Sequence, residues 1–157
     1  MAFYGARSVA MKLSEIRPTL KEIGVSPVRT LGQNFLHDQN LARWIVNQAQ
    51  ITPQDYVVEI GPGLGALTKF LLEKDAHVLA IEKDGRLANF LRSRFGNKGL
   101  EIVNTDALKF DRRVLFAHRC VKLIGNLPYN ISSPLLMMRP LVSIGKRSAK
   151  MVGAAGP

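Results

Sequence analysis

Apolar positions in this chain fall into short continuous runs, separated by segments in which they recur every three or four residues. Tyr56-Val57-Val58-Glu59-Ile60 reads as a first strand and His77-Val78-Leu79-Ala80-Ile81-Glu82 as a second. Leu100-Glu101-Ile102-Val103-Asn104 and residues 121–124 follow as a third and a fourth. Near-continuous apolar strands spaced by helices predict an α/β fold, a parallel sheet with helices on both faces. Residues 66–74 supply the first crossover helix, with Leu67, Phe70, Leu71 and Lys74 at helical spacing. Residues 84–95 supply the second, with Leu87, Phe90, Leu91 and Phe95 along its inner stripe.

Upstream, Asp38 is placed to cap a helix running to Gln50, with Leu41, Trp44 and Ile45 on one face, so Trp44 reads as a packing residue. Residues 13–23 read as an amphipathic helix that stops before Gly24 and Pro27. After Pro134 the pattern dissolves, and no fifth strand is legible. The expected organisation is an N-terminal helical extension (1–30), a partial nucleotide-binding domain (31–136) and a divergent, basic, disordered tail (137–157).

Composition narrows the class. The net charge of +10 calls for a polyanionic partner, of which nucleic acid is the commonest. No apolar run approaches the roughly 18 residues of a membrane span. Cys120 stands alone, so no intramolecular disulfide can form, which fits a reducing, cytoplasmic setting. No metal is expected, and Met1 and Met11 are equally acceptable starts.

The chemistry sits at strand ends. Glu59-Ile60-Gly61-Pro62-Gly63-Leu64-Gly65-Ala66 turns the first strand into a helix, where glycines let a ligand approach the backbone closely. The spacing also fits a dinucleotide fingerprint. However, Glu59 would repel a pyrophosphate and attract a sulfonium or an ammonium, which favours S-adenosylmethionine. Glu82 ends the second strand, where a carboxylate can accept both ribose hydroxyls. Asp106 follows the third, within reach of an adenine amine.

Asn126-Leu127-Pro128-Tyr129 follows the fourth strand. An adenine amine is a poor nucleophile, because its lone pair is delocalised into the ring. The Asn126 oxygen and a loop carbonyl, accepting its two N–H bonds, can turn that lone pair toward an electrophilic methyl. Pro128 fixes the loop, and Tyr129 offers a face for an unstacked base.

These motifs, with Leu31-Gly32-Gln33-Asn34-Phe35-Leu36 before them, resemble those of the ribosomal RNA adenine N6-dimethyltransferases over roughly residues 11–136. The resemblance is closest to the housekeeping small-subunit enzymes. It implies a Rossmann-like methyltransferase fold, with Asn34, Leu36, Glu59, Gly61, Gly63, Glu82, Asp106 and Asn126 at the cofactor. It implies Asn126, Pro128 and Tyr129 at the target amine, and dimethylation of two adjacent adenines near the 3′ end of small-subunit rRNA by a monomer acting on the pre-30S particle. Family members continue into further strands and a C-terminal helical domain that this chain is expected to lack. The competing expectation is therefore a non-catalytic RNA-binding or assembly protein that keeps the cofactor fold. A nicotinamide oxidoreductase is disfavoured by the Asn126–Tyr129 loop, and a DNA adenine methyltransferase by residues 33–36.

Overall fold

A computed structural model describes residues 11, 13–26, 36–117, 121–126 and 151–153. Its order is α1 (Leu13–Glu22), α2 (Gln39–Gln48), β1 (Tyr56–Ile60), α3 (Ala66–Leu72), β2 (His77–Glu82), α4 (Gly85–Phe95), β3 (Leu100–Asn104), β4 (Val121–Gly125) and β5 (Met151–Gly153), with a 3-10 segment at Arg112–Ala117. The sheet order is β3-β2-β1-β4-β5, and every adjacent pair is parallel. In this order β1 lies centrally between β2 and β4, so consecutive crossovers leave it in opposite directions and open a crevice at its carboxyl end.

Asp38 caps α2 as its sequence suggests, accepting from the N–H groups of Asn40 at 2.8 Å and Leu41 at 3.0 Å. The buried stripe differs from the expected one. Ala42, Ile45, Val46 and Ala49 face the sheet, while Leu41 and Trp44 lie outside, Trp44 being 55% exposed. The small alanines set the stripe, because α2 packs close against α3 and leaves no room for an indole there. The end of α1 is closed by Gly24 at φ 70°, with Val25 N–H reaching Leu20 O at 2.8 Å, a Schellman-type stop.

The main core gathers Ala42, Ile45 and Val46 of α2, Leu67, Phe70 and Leu71 of α3, and Leu91 and Phe95 of α4. They meet Val57, Val78, Ala80 and Ile124 on one face of the sheet. The opposite face carries Val58, Ile60, Leu79 and Ile81, covered by Ala107, Phe110 and Leu115 of the β3–β4 connection. Among the described residues, then, helices cover one face and a loop with a 3-10 turn covers the other.

A further correction concerns the tail. Residues 151–153, expected to be disordered, form a short strand paired with β4 in the register Leu123↔Met151 to Gly125↔Gly153. The apolar pattern dissolves after Pro134, but Met-Val-Gly can still pair its backbone with the edge of β4.

Candidate active site

Four strand ends converge on the crevice. From β1 the chain enters the glycine turn, where Gly61, Gly63 and Gly65 hold φ values of 63°, 58° and 83°. These left-handed conformations strain any residue with a Cβ. Gly65 is needed twice over, since a Cβ there would lie 2.6 Å from the Phe95 ring. Behind the turn, Leu64 is buried against Ile16, Leu20 and Val25, with Leu87 beside them. The Arg86 guanidinium donates to the Gly24 carbonyl, so α1 braces the turn from outside.

Glu82 ends β2 with both oxygens engaged: Oε2 accepts from Gly63 N–H at 3.1 Å and Oε1 from Asp84 N–H at 2.9 Å. Burial raises its pKa. The carboxylate therefore bridges the glycine turn and the start of α4. Glu59 stands on the core face of β1, wholly buried, with Oε2 accepting from the Thr68 hydroxyl at 2.6 Å. Among the described residues its Oε1 has no hydrogen-bond partner. Burial pushes its carboxyl up to about 7, with the nearby Glu82 charge adding to the rise.

Asp106 lies just past β3. Its Oδ1 accepts from Leu108 N–H at 3.0 Å, and its Oδ2 meets Lys83 Nζ at 2.9 Å. That lysine, chiefly through its hydrogen bond, lowers the Asp106 pKa. Asn126 directly follows Gly125 of β4 and is half-buried. Leu36 packs against the main core and lines, with Leu64 and Gly65, a cavity of about 20 Å³. Asn34, Pro128 and Tyr129 lie outside the described residues.

Glu59, Gly61, Gly63 and Glu82 thus form one connected unit, with Asp106 and Asn126 at the two neighbouring strand ends. Three contributors carried no role in the sequence reading. Thr68 could have been found as the polar residue inside the apolar stripe of α3, next to Leu67 and Leu71. Asn104 donates its amide to the carbonyls of Glu82 at 2.8 Å and Lys83 at 3.1 Å. It and Lys83 gave no sequence signal, since both partnerships bridge β2 and β3.

A family model described as "Ribosomal RNA adenine dimethylase" matches residues 27–151, so the likeness runs past Leu136, where the motifs stop. A relative from Corynebacterium efficiens, "Ribosomal RNA small subunit methyltransferase A", is 46% identical over 129 residues, covering 78% of this chain and 44% of that protein. Crystal structures of the 23S rRNA methyltransferase ErmE (TM-score 0.58, 31% identity) and of a dimethyladenosine transferase from Plasmodium falciparum (TM-score 0.56, 32% identity) each match over 66% of this chain. They are covered over 41% and 38% of their own lengths, respectively. The chain thus spans less than half the length of these three proteins. On a family match extending from residue 27 to residue 151, with the glycine turn and three polar strand ends inside it, the chain belongs to the ribosomal RNA adenine dimethylase family.

Proposed function

We propose that this chain provides the cofactor-binding and target-amine machinery of an S-adenosylmethionine-dependent RNA adenine-N6 methyltransferase. The substrate class is ribosomal RNA. The finer reading is dimethylation of two adjacent adenines near the 3′ end of small-subunit rRNA, on a pre-30S particle in the cytoplasm, by a monomer. The net charge of +10 supports a polyanionic substrate.

One observation carries the cofactor reading: two buried carboxyls, both with raised pKa, flank a turn of left-handed glycines. A cation relieves such a pair, whereas a pyrophosphate would add to the repulsion. The residues fit the cofactor. Each Glu82 oxygen has a lone pair left after its backbone bond, enough for two ribose hydroxyls. Among the described residues the Glu59 Oε1 has no hydrogen-bond partner, and it lies on the strand that leads into the turn of Gly61 and Gly63. Asp106 keeps acceptor capacity for an amine. Asn34 and Leu36 belong to the segment assigned to the methionine end.

The cofactor supplies an electrophilic methyl when bound. The chain's own part is orientation. Asn126, at the end of a central strand, presents an amide oxygen to one N–H of the target amine. A carbonyl of the following loop takes the other, with Pro128 fixing that loop and Tyr129 supporting the base. Holding the nitrogen's lone pair in line replaces the need for a strong base.

S-adenosylmethionine should raise the melting temperature of the full chain, and Glu82→Ala should abolish the rise. Labelled methyl should enter unmethylated small-subunit RNA and be lost in Asn126→Ala. No thermal shift at millimolar cofactor would sink the reading. Binding without transfer would favour a non-catalytic RNA-binding role.

A further inference from the structure

Lys83 directly follows Glu82 at the end of β2, and its Nζ lies 2.9 Å from Asp106 Oδ2 beyond the end of β3. The pair thus spans two neighbouring strand ends, since Glu82 sits opposite Asn104 in the parallel register. Both partners are held from behind. Asn104 Nδ2 donates to the carbonyls of Glu82 and Lys83, fixing the backbone that carries the lysine. Leu108 N–H holds Asp106 Oδ1 and so sets the plane of the carboxylate. The Lys83 side chain is 72% exposed, so this ion pair adds little to folding. A cation held on the nucleotide side of the crevice, at little gain in stability, is placed to meet a ligand.

Resting on the reading above, in which Asp106 receives the cofactor's adenine amine, we propose that Lys83 is a second base-reading residue. Its ammonium donates to the ring nitrogen beside the amine while Asp106 accepts from the amine itself. Adenine presents an N–H donor next to a ring-nitrogen acceptor, and a carboxylate with an adjoining ammonium is the complementary pair. The chemistry leaves room for it. The carboxylate has lone pairs beyond those used by Leu108 and Lys83, and the ammonium has two further donors. A purine with an oxygen in place of the amine would face Asp106 with an acceptor, so the pair also selects against that base.

The test is calorimetric binding of S-adenosylhomocysteine and its 1-deaza and 7-deaza analogues to the full chain and to Lys83→Met. The variant should bind the parent ligand about ten-fold or more weakly, the size of one hydrogen bond to a charged group. The wild type should lose a similar factor with one of the two analogues, and the variant should not distinguish that analogue from the parent. General weakening of the fold cannot mimic this, because it lowers all three affinities together. Undiminished binding by Lys83→Met, or the same analogue discrimination in both proteins, would overturn the proposal. Failure of the cofactor reading looks different: neither protein binds the parent ligand at millimolar concentration, and both inferences fall.

Discussion

The Glu59 carboxyl accepts a 2.6 Å hydrogen bond from the Thr68 hydroxyl across the interface of β1 and α3, and its second oxygen has no hydrogen-bond partner among the described residues. Among the described residues, this fully buried acid is thus met by the hydroxyl and backbone of one residue, Thr68, both neutral. Burial wins over the hydrogen bond, and the carboxyl rises to about 7 from an ordinary value of 4.5. The folded protein therefore binds the Glu59 proton more tightly than the unfolded chain does. Stability falls as pH rises from about 4.5 through about 7, by roughly 3 kcal/mol for this group alone. Glu59→Gln keeps an acceptor for Thr68 and removes the charge. Its urea midpoint should exceed the wild-type value at pH 8 and approach it at pH 5. Equal pH dependence in the two proteins would refute the assignment.

Thr68→Val tests the same contact from the helix side. It removes the hydroxyl but keeps the shape and the backbone N–H, so a buried acid loses its side-chain donor, which costs about 1–3 kcal/mol. In a Glu59→Leu background the hydroxyl itself is the orphan, so Thr68→Val there should be neutral or stabilising. A double-mutant cycle read by denaturant unfolding measures the difference. Additive effects would show that the two groups do not interact.

The glycines divide into two kinds. Gly24 and Gly65 both hold positive φ, but a Cβ at Gly24 meets open space, while at Gly65 it lies 2.6 Å from Phe95 and 3.0 Å from Leu91. Gly24→Ala should cost about 1 kcal/mol from backbone strain. Gly65→Ala adds overpacking against α4 and should cost about 2–4 kcal/mol in total. Equal losses in thermal melts would mean that Phe95 moves freely, contrary to its buried position.

At the other end of the sheet, Lys122 Nζ of β4 lies 2.7 Å from Asp55 Oδ2 and 2.6 Å from Gln50 O, with side-chain exposures of 16% and 5% for Lys122 and Asp55. Lys122→Met removes the counter-ion but leaves Asp55 Oδ2 its hydrogen bonds from the Thr52 N–H and hydroxyl. The substitution should cost about 1.5–3 kcal/mol, the size of one hydrogen bond to a charged group. A change within experimental error of zero would place the pair among the weak surface bridges instead.

The first four strands were legible because each is a run of apolar residues too short for a helix and bounded by turn residues, whereas their order in the sheet was not. The placement of the glycine turn, Glu82, Asp106 and Asn126 at strand ends was legible, and strand ends are where such sheets hold ligands. What escaped was partnership across the sheet. Nothing local to Lys83 announces Asp106, and nothing local to Asn104 announces the carbonyls of Glu82 and Lys83. Trp44 misled for a related reason: periodicity says which residues share a face, but the neighbour decides which face is buried, and α3 favoured Ala42 and Val46. Residues 151–153 misled because a three-residue strand has no period of its own. Its pairing depends on the open edge of β4.

The bond from Gly63 N–H to Glu82 Oε2 is made within the protein's own fold. Folding has therefore already settled the conformational entropy of the glycine turn, which a flexible loop would have to lose on association. A rigid receptor of this kind keeps more of its contact energy as affinity. It also makes Glu82 a residue with two separable contributions. Glu82→Gln retains an acceptor for one backbone N–H while losing charge, whereas Glu82→Ala frees the turn as well. The affinity gap between these two variants measures how much of the site's strength comes from order established during folding.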